Sequence, residues 1–278
     1  MDINGRLISK EKLLNLKEKI NLLHDKLGLT VIQVGDDPAS CVYINSKEKT
    51  AIEAGISFKH IKLDENITQA ELLNVIEKEN KDEKVHGIIT QMPIPKHLNS
   101  KTVQNKISEL KDVDGLTDIN AGKLFHGEDC LSPCTPSGII ELLNYHNIEI
   151  EGKDVTIIGR SDLVGKPLVS LFLNKNASVS ICHSKTKDIK KYTKTADIII
   201  VAVGMSKFLK KDMVGENQVI IDVGINRVDG KLVGDVDYEN IKDSASYITK
   251  VPGGVGPMTV AMLMDNTYKA YTKQKNNK

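Results

Sequence analysis

Along the first third of the chain, apolar positions alternate between helical spacing and short unbroken runs. In SKEKLLNLKEKINLLHDKLG, Leu13, Leu16, Ile20, Leu23 and Leu27 recur at helical spacing, with Ser9 expected as the N-cap and Gly28 as the stop. LTVIQVG follows as an apolar strand, DDPASCVYINSKEKTAIEAG as a helix running to Gly55, and ISFKHIKL as a strand. ITQAELLNVIEKEN opens on Thr68 and Glu71, a capping-box pair, and continues as a helix. VHGIITQMP is another strand, ending at a proline. Repeated strand–helix–strand order of this kind predicts a parallel sheet with helices on its faces. Ligands collect at the carboxyl ends of such strands, which places residues 35–40 and 91–95 on one sheet edge.

KDVDGLTDINAGKLFHGEDCLSPCTP is rich in Gly, Asp and Pro and reads as the passage between two domains. SGIIELLNYHNIEI then reads as a helix. DVTIIG, ASVSIC, ADIIIVAVG and VIIDVGI read as four buried strands separated by helical or irregular pieces, a second parallel sheet of Rossmann type. PMTVAMLMDNTYKAYTK is helical again. A length of 278 residues accommodates two medium domains, each with its own core.

Charge narrows the partners. Lys+Arg number 38 against 37 Asp+Glu, so there is no electrostatic case for binding nucleic acid or an anionic membrane. No apolar run is long enough to span a bilayer, and MDINGRLISKEKLL lacks the apolar core of a signal peptide, so the expected location is cytoplasmic. The four cysteines form no CxxC pair. His126, Cys130 and Cys134 have a spacing that would share a helix face, but Gly127, Pro133 and Pro136 break a helix there and no fourth ligand is evident. No metal is therefore expected, and the thiols are read as reduced.

In IIGRSDLVGKP a strand ends at Gly159, and Gly165 and Lys166 arrive one position too late for a P-loop. The Rossmann pattern fails as well, because Ser161 and Val164 stand where it needs glycines. The physical parts of a phosphate site are nevertheless present: backbone N–H groups, a helix starting near Pro167, and the forked cation of Arg160. At the end of the next strand, NAD-specific domains place a carboxylate for the ribose. Here stand His183, Ser184, Lys185 and Thr186, donors and a positive charge, which favours the 2′-phosphate of NADP. An ordinary strand–helix turn with no ligand is the alternative.

In the first domain, Tyr43 and Lys47 are one helical turn apart and share a face. A desolvated lysine serves proton transfer, and a tyrosine can orient it; a solvated surface lysine is the plain alternative. Gln91 is a rigidly held amide before a proline loop, or simply a strand cap. Asp114, in an Asp-Gly turn, either binds an amino-pyrimidine edge bidentately or closes the turn. PGGVGPMT allows close backbone approach to a flat ligand, or is a stiff loop before the last helix.

Taken together, VGDDPASCVYINSKEKTAIEAGI, GIITQMPIP, KDVDGLTDINAGKL, PCTPSGIIELL, GRSDLVGKP, HSKT, ADIIIVAVG, DVGIN and KVPGGVGPMTVAML resemble, in order and over essentially the whole chain, the bifunctional methylenetetrahydrofolate dehydrogenase/methenyltetrahydrofolate cyclohydrolase family. The departures are apolar swaps only, in QMPIP and at Leu163. The resemblance implies two α/β domains with a cleft between them: residues 1–117 plus 258–278 for the folate site, and 118–257 as a Rossmann-type NADP-binding domain. It implies Lys47 as the acid/base of the cyclohydrolase step, Tyr43 and Gln91 orienting it, and Asp114 on the pterin ring. Gly159, Arg160, Ser161, Ser184 and Ile225 would line the NADP site, with Thr135 and Thr259 close by, while Pro252, Gly253, Gly254 and Val255 would approach the folate. The partners implied are tetrahydrofolate derivatives and a second copy of the chain, as a homodimer. Relatives with the dehydrogenase alone lack part of the Lys/Gln/Asp set. That activity by itself, or a binding scaffold without turnover, are the competing readings.

Overall fold

The computed structural model describes residues 1–276. The chain enters as β1 (Asp2–Ile3) and α1 (Gly5–Asn21), then alternates through β2 (Gly28–Val34), α2 (Pro38–Glu53), β3 (Ser57–Leu63), α3 (Gln69–Lys81) and β4 (Gly87–Thr90). Three helices follow, α4 (Ser100–Lys106), α5 (Asp118–Phe125) and α6 (Cys134–Tyr145). The second alternation runs β5 (Asp154–Ile158), α7 (Gly165–Leu173), β6 (Ser178–Cys182), α8 (Lys190–Thr193), β7 (Ile198–Val201) and β8 (Gln218–Asp222). It closes with β9 (Asn226–Val228), β10 (Lys231–Val233), α9 (Tyr238–Ile241), β11 (Ala245–Thr249) and α10 (Val255–Asn276).

The first helix differs from its expected bounds. It begins at Gly5, and the Asn4 carboxamide oxygen accepts the Leu7 N–H at 3.1 Å, so Asn4 and not Ser9 caps it. Ser9 lies inside the helix and donates its hydroxyl to the Arg6 carbonyl at 3.0 Å. Gly28 is no helix stop either: it is the first residue of β2. The helix must end early because the strand needs this stretch, where Ser57 N–H bonds the Leu27 carbonyl at 2.7 Å. A Cβ on Gly28 would lie 2.0 Å from the Lys84 carbonyl oxygen, so only glycine fits.

One compact unit comprises residues 11–123, 128–134 and 260–278. Its three-stranded sheet has order β3-β2-β4, all parallel, with Ile32 paired to Thr90 at the carboxyl edge. Every residue of β2 and β4 is buried, as continuous apolar runs in a covered parallel sheet should be. Ile32, Leu72, Ile76, Ile88 and Val103 pack into one core. Asp37 caps α2, accepting the Ser40 N–H at 2.8 Å, and the Thr68–Glu71 capping box opens α3. The supposed passage between domains contains α5, whose first turn is seated by Asp112, as described below.

The other unit comprises residues 1–10, 124–127 and 135–259. Its six parallel strands have order β1-β11-β8-β7-β5-β6. Residues 1–10 belong here because β1 pairs with β11. Ile158, Ile199, Val201, Ile220 and Ile248 form its core on one side of the sheet. Beyond the four expected strands lie β1, β11 and the antiparallel β9–β10 hairpin. That hairpin turns on Asp229 and Gly230, with φ of 48° and 77°, the left-handed pair a two-residue turn requires.

Candidate active site

Lys47 and Gln91 meet directly. The Lys47 ammonium donates to the Gln91 side-chain oxygen at 3.0 Å. The Gln91 amide donates in turn to the Met92 carbonyl at 2.7 Å, and the Gln91 backbone N–H bonds the Ile32 carbonyl at 2.8 Å. Gln91 is only 8 % exposed, so its amide is held on both sides in a nearly dry setting. The Ser40 hydroxyl reaches the Met92 carbonyl at 3.4 Å, joining the start of α2 to the end of β4 as the shared sheet edge requires. Tyr43 stands one turn before Lys47 with its side chain 55 % exposed.

Asp114 is half-buried in the turn after the Ile88–Asp112 bridge. Burial pushes its carboxyl above the usual range; the Lys47 charge pulls it down, Asp112 pushes it up and the Cys134 thiol pulls it down. Cys134 donates to the Val113 carbonyl at 3.3 Å, and its own burial holds the thiol well above its ordinary value. Two residues that sequence reasoning missed set this turn. Asp112 accepts the N–H groups of Leu116 and Thr117 and the Asn120 amide, at 3.1, 2.8 and 2.9 Å, anchoring the start of α5. Asn266, 1 % exposed on α10, donates to the Val113 and Ser132 carbonyls at 2.9 and 2.8 Å, tying both chain segments beside Asp114. Gly115 has φ +68° and no room for a Cβ, which would lie 2.5 Å from Ser132. No local pattern distinguishes Asn266 from any other polar position on a helix; its partners lie more than a hundred residues away.

In the six-stranded unit, β5 ends at Gly159, with φ +126° and a Cβ position 2.3 Å from the Ala202 carbonyl oxygen. A Cβ on Gly165 would lie 2.2 Å from the Gly159 carbonyl oxygen. Both glycines are thus required for α7 to start so close to the strand, the role glycine plays in dinucleotide loops. Arg160 and Ser161 are exposed, and Ser161 accepts the Val164 N–H at 3.2 Å. Lys166 pairs with Asp162 at 2.5 Å. After β6, the His183 N–H bonds the Thr186 hydroxyl at 2.9 Å, leaving Ser184 exposed at the turn with no carboxylate at the strand end. Thr135 and Thr259 share a hydroxyl–hydroxyl bond of 2.9 Å. Ile225, 53 % exposed, lines one pocket together with Pro252, Gly253, Gly254 and Val255. That pocket brings the expected nucleotide and folate segments together. Among the described residues, no group of three or more His, Cys, Asp or Glu side chains is placed to hold a metal, and no helix is long and apolar enough to cross a membrane.

Two parallel-sheet units, one with a glycine-built strand–helix loop and the other with a lysine–amide–carboxylate group, define a two-domain α/β enzyme of the pyridine-nucleotide-binding type. Residues 3–114 match the tetrahydrofolate dehydrogenase/cyclohydrolase catalytic domain, and residues 133–275 match the NAD(P)-binding domain of the same family. The chain belongs to the tetrahydrofolate dehydrogenase/cyclohydrolase family. It is 49% identical over 272 residues to the bifunctional protein FolD of Bacillus pumilus, covering 96% of each chain. The crystal structure of the bifunctional FolD dehydrogenase/cyclohydrolase from Campylobacter jejuni superposes with a TM-score of 0.97 at 47% identity, over 99% of both chains. The Trypanosoma brucei methylenetetrahydrofolate dehydrogenase-cyclohydrolase, solved with NADP cofactor and an inhibitor, matches with a TM-score of 0.93 at 34% identity, over 99% of this chain and 98% of that one.

Proposed function

We propose that this chain oxidises 5,10-methylenetetrahydrofolate to 5,10-methenyltetrahydrofolate with NADP, and then hydrolyses the product to 10-formyltetrahydrofolate. The observation that carries the reading is the Lys47–Gln91 bond at 3.0 Å beside Asp114, in a chain of this family. Loss of hydride from the one-carbon bridge leaves a cation that is already electrophilic, so the dehydrogenase step asks mainly for positioning. Ring opening needs more: a proton leaves the adding water and another reaches the departing nitrogen. Lys47 carries these protons. Gln91, fixed by Met92, holds the ammonium in one direction, and Tyr43 orients it from the preceding turn. Asp114 binds the amino-pyrimidine edge of the pterin, seated by Asn266 and Gly115. Pro252, Gly253, Gly254 and Val255 approach the folate from the glycine-rich loop.

The six-stranded unit suits NADP on its own chemistry. Gly159 and Gly165 leave backbone open at the end of β5, Arg160 and Ser161 are exposed donors beside it, and Ser184 is exposed after β6, where a carboxylate would select NAD. Ile225, Thr135 and Thr259 complete the set. NADP, when bound, supplies the hydride acceptor. The reading includes a homodimer, supported by the edge strand β6, which among the described residues pairs only with β5 and exposes Ile181. It also includes a cytoplasmic location, which suits four unpaired cysteines.

The test mixes purified protein with methylenetetrahydrofolate and either NADP or NAD, follows nicotinamide reduction, and then follows loss of added methenyltetrahydrofolate. NADP-dependent reduction with enzyme-dependent methenyl loss is expected. Reduction without ring opening would leave a dehydrogenase only, and neither signal would overturn the proposal. Light scattering in the same buffer tests the dimer.

A further inference from the structure

Two buried aspartates at the carboxyl end of the six-stranded sheet take no part in the chemistry above. Asp222 ends β8 at 3 % exposure, and Asp235 follows β10 at 0 %. The Asp222 carboxylate accepts the N–H groups of Gly224, Asp235 and Val236 at 3.0, 2.8 and 2.9 Å. The Asp235 carboxylate accepts the N–H groups of Val203 and Gly204 at 2.7 and 2.8 Å, and the Asn226 amide at 2.9 Å. Glycines make room for both. A Cβ on Gly224 would lie 2.1 Å from the Asp235 carboxyl, and one on Gly234 would lie 1.8 Å from the Asp222 carboxyl. Each carboxylate therefore occupies space that a glycine near the other leaves free, and the two loops interlock.

What the lock holds is specific. Val203 and Gly204 follow β7, next to Ala202, whose carbonyl packs against Gly159 at the end of β5. Asn226 opens β9 and is the neighbour of Ile225. One side chain thus ties the loop after β7 to the start of β9, beside the end of β5, the neighbour of β7 in the sheet. These half-buried loop N–H groups are directed onto one fixed, fully buried acceptor. We propose that Asp235, seated by Asp222, is a positioning residue for the dinucleotide pocket, acting through residues 202–204 and through Asn226 on Ile225. This inference rests on the NADP reading above.

The test is Asp235→Ala, with Glu79→Ala as its control. Glu79 is an equally buried carboxylate, bonded to Lys59 and Thr30 in the three-stranded unit. Asp235→Ala is expected to raise KM for NADP roughly tenfold or more, since three hydrogen bonds are lost, while methenyl hydrolysis, which needs no nucleotide, stays within about twofold. Glu79→Ala should lower Tm without changing the ratio of the two activities. A folded Asp235→Ala protein with unchanged KM, or one that loses both activities in parallel as Glu79→Ala would, overturns the inference. If Asp235→Ala does not fold, Asn226→Ala decides. Removal of its bond to Asp235, together with the longer one to the Val233 carbonyl at 3.4 Å, should raise KM roughly 3- to 10-fold, and no change overturns the inference. Wild-type protein that fails to reduce NADP sinks the underlying reading instead.

Discussion

His86 is built into the amino end of the three-stranded sheet as a neutral acceptor, and that choice makes the fold acid-sensitive. It stands just before β4 at 5 % exposure, its Nδ1 accepts the Gly28 N–H at 3.0 Å, and its ring meets Tyr271 edge-on at 4.9 Å. A proton on Nδ1 would set donor against donor. Burial pushes its pKa down to about 4, and the Lys111 and Lys275 charges push the same way. The unfolded chain, titrating near about 6.5, binds the proton that the native state refuses. Stability from this group is therefore complete above pH about 6.5 and is lost as pH falls toward about 4, some ~3 kcal/mol in all. Asp222 acts oppositely in that window, since burial raises it to about 7 against its three N–H donors, so its contribution falls as pH rises. Comparing wild type with His86→Gln cancels Asp222, which both proteins carry. The assay is urea unfolding at a series of pH values, with the His86 ring signal followed by NMR. The stability difference between the two proteins should narrow by ~3 kcal/mol from neutral pH to about pH 4, and the ring should titrate near 4. A midpoint near about 6.5, or a difference that does not vary with pH, would refute the reasoning.

Two further substitutions follow from the site. Gly159→Ala must force a Cβ against the Ala202 carbonyl at 2.3 Å with φ +126°, so it should cost roughly 1–3 kcal/mol in strain and weaken NADP binding, read by Tm and nucleotide titration. Asn266→Leu strands the half-buried Ser132 carbonyl and leaves the Val113 carbonyl only the weak Cys134 thiol donor, at a cost of about 1–3 kcal/mol, and loosens the Asp114 turn. It should lower Tm and raise KM for the folate more than KM for NADP, while an unchanged folate KM would detach Asn266 from the site.

The parts legible in the sequence are those whose cause is local. The apolar runs became β2, β4, β5, β7 and β8 because parallel strands buried on both faces leave no alternation to misread. Thr68 and Glu71 sit where the capping box needs them. The i,i+4 spacing of Tyr43 and Lys47 held, and the sheet edge brought Gln91 to Lys47. Illegible were features fixed by distant partners. β1 is two residues long and exists only through β11. Ser9 looked like a cap because the apolar pattern starts after it, while Asn4 does the capping next to Gly5, which packs against Gly254. The Asp229-Gly230 hairpin carried a turn signal, but its flanking strands are only three residues each. Asn266 and Asp235 are buried polar residues whose partners lie far along the chain, while Asp112 and Asp222 are buried acceptors of nearby loop N–H groups that no spacing rule marks.

The central claim is that Lys47 serves ring opening and is not needed for hydride removal. Lys47→Met keeps much of the side-chain stem and removes the ammonium that bonds Gln91. Both activities are measured on one preparation: NADP reduction with methylenetetrahydrofolate, and loss of methenyltetrahydrofolate above the buffer rate. The account predicts that hydrolysis falls by roughly 10²- to 10⁴-fold, the range of a lost general acid/base, with NADP reduction largely retained. Hydrolysis that persists in Lys47→Met at near the wild-type rate would contradict it.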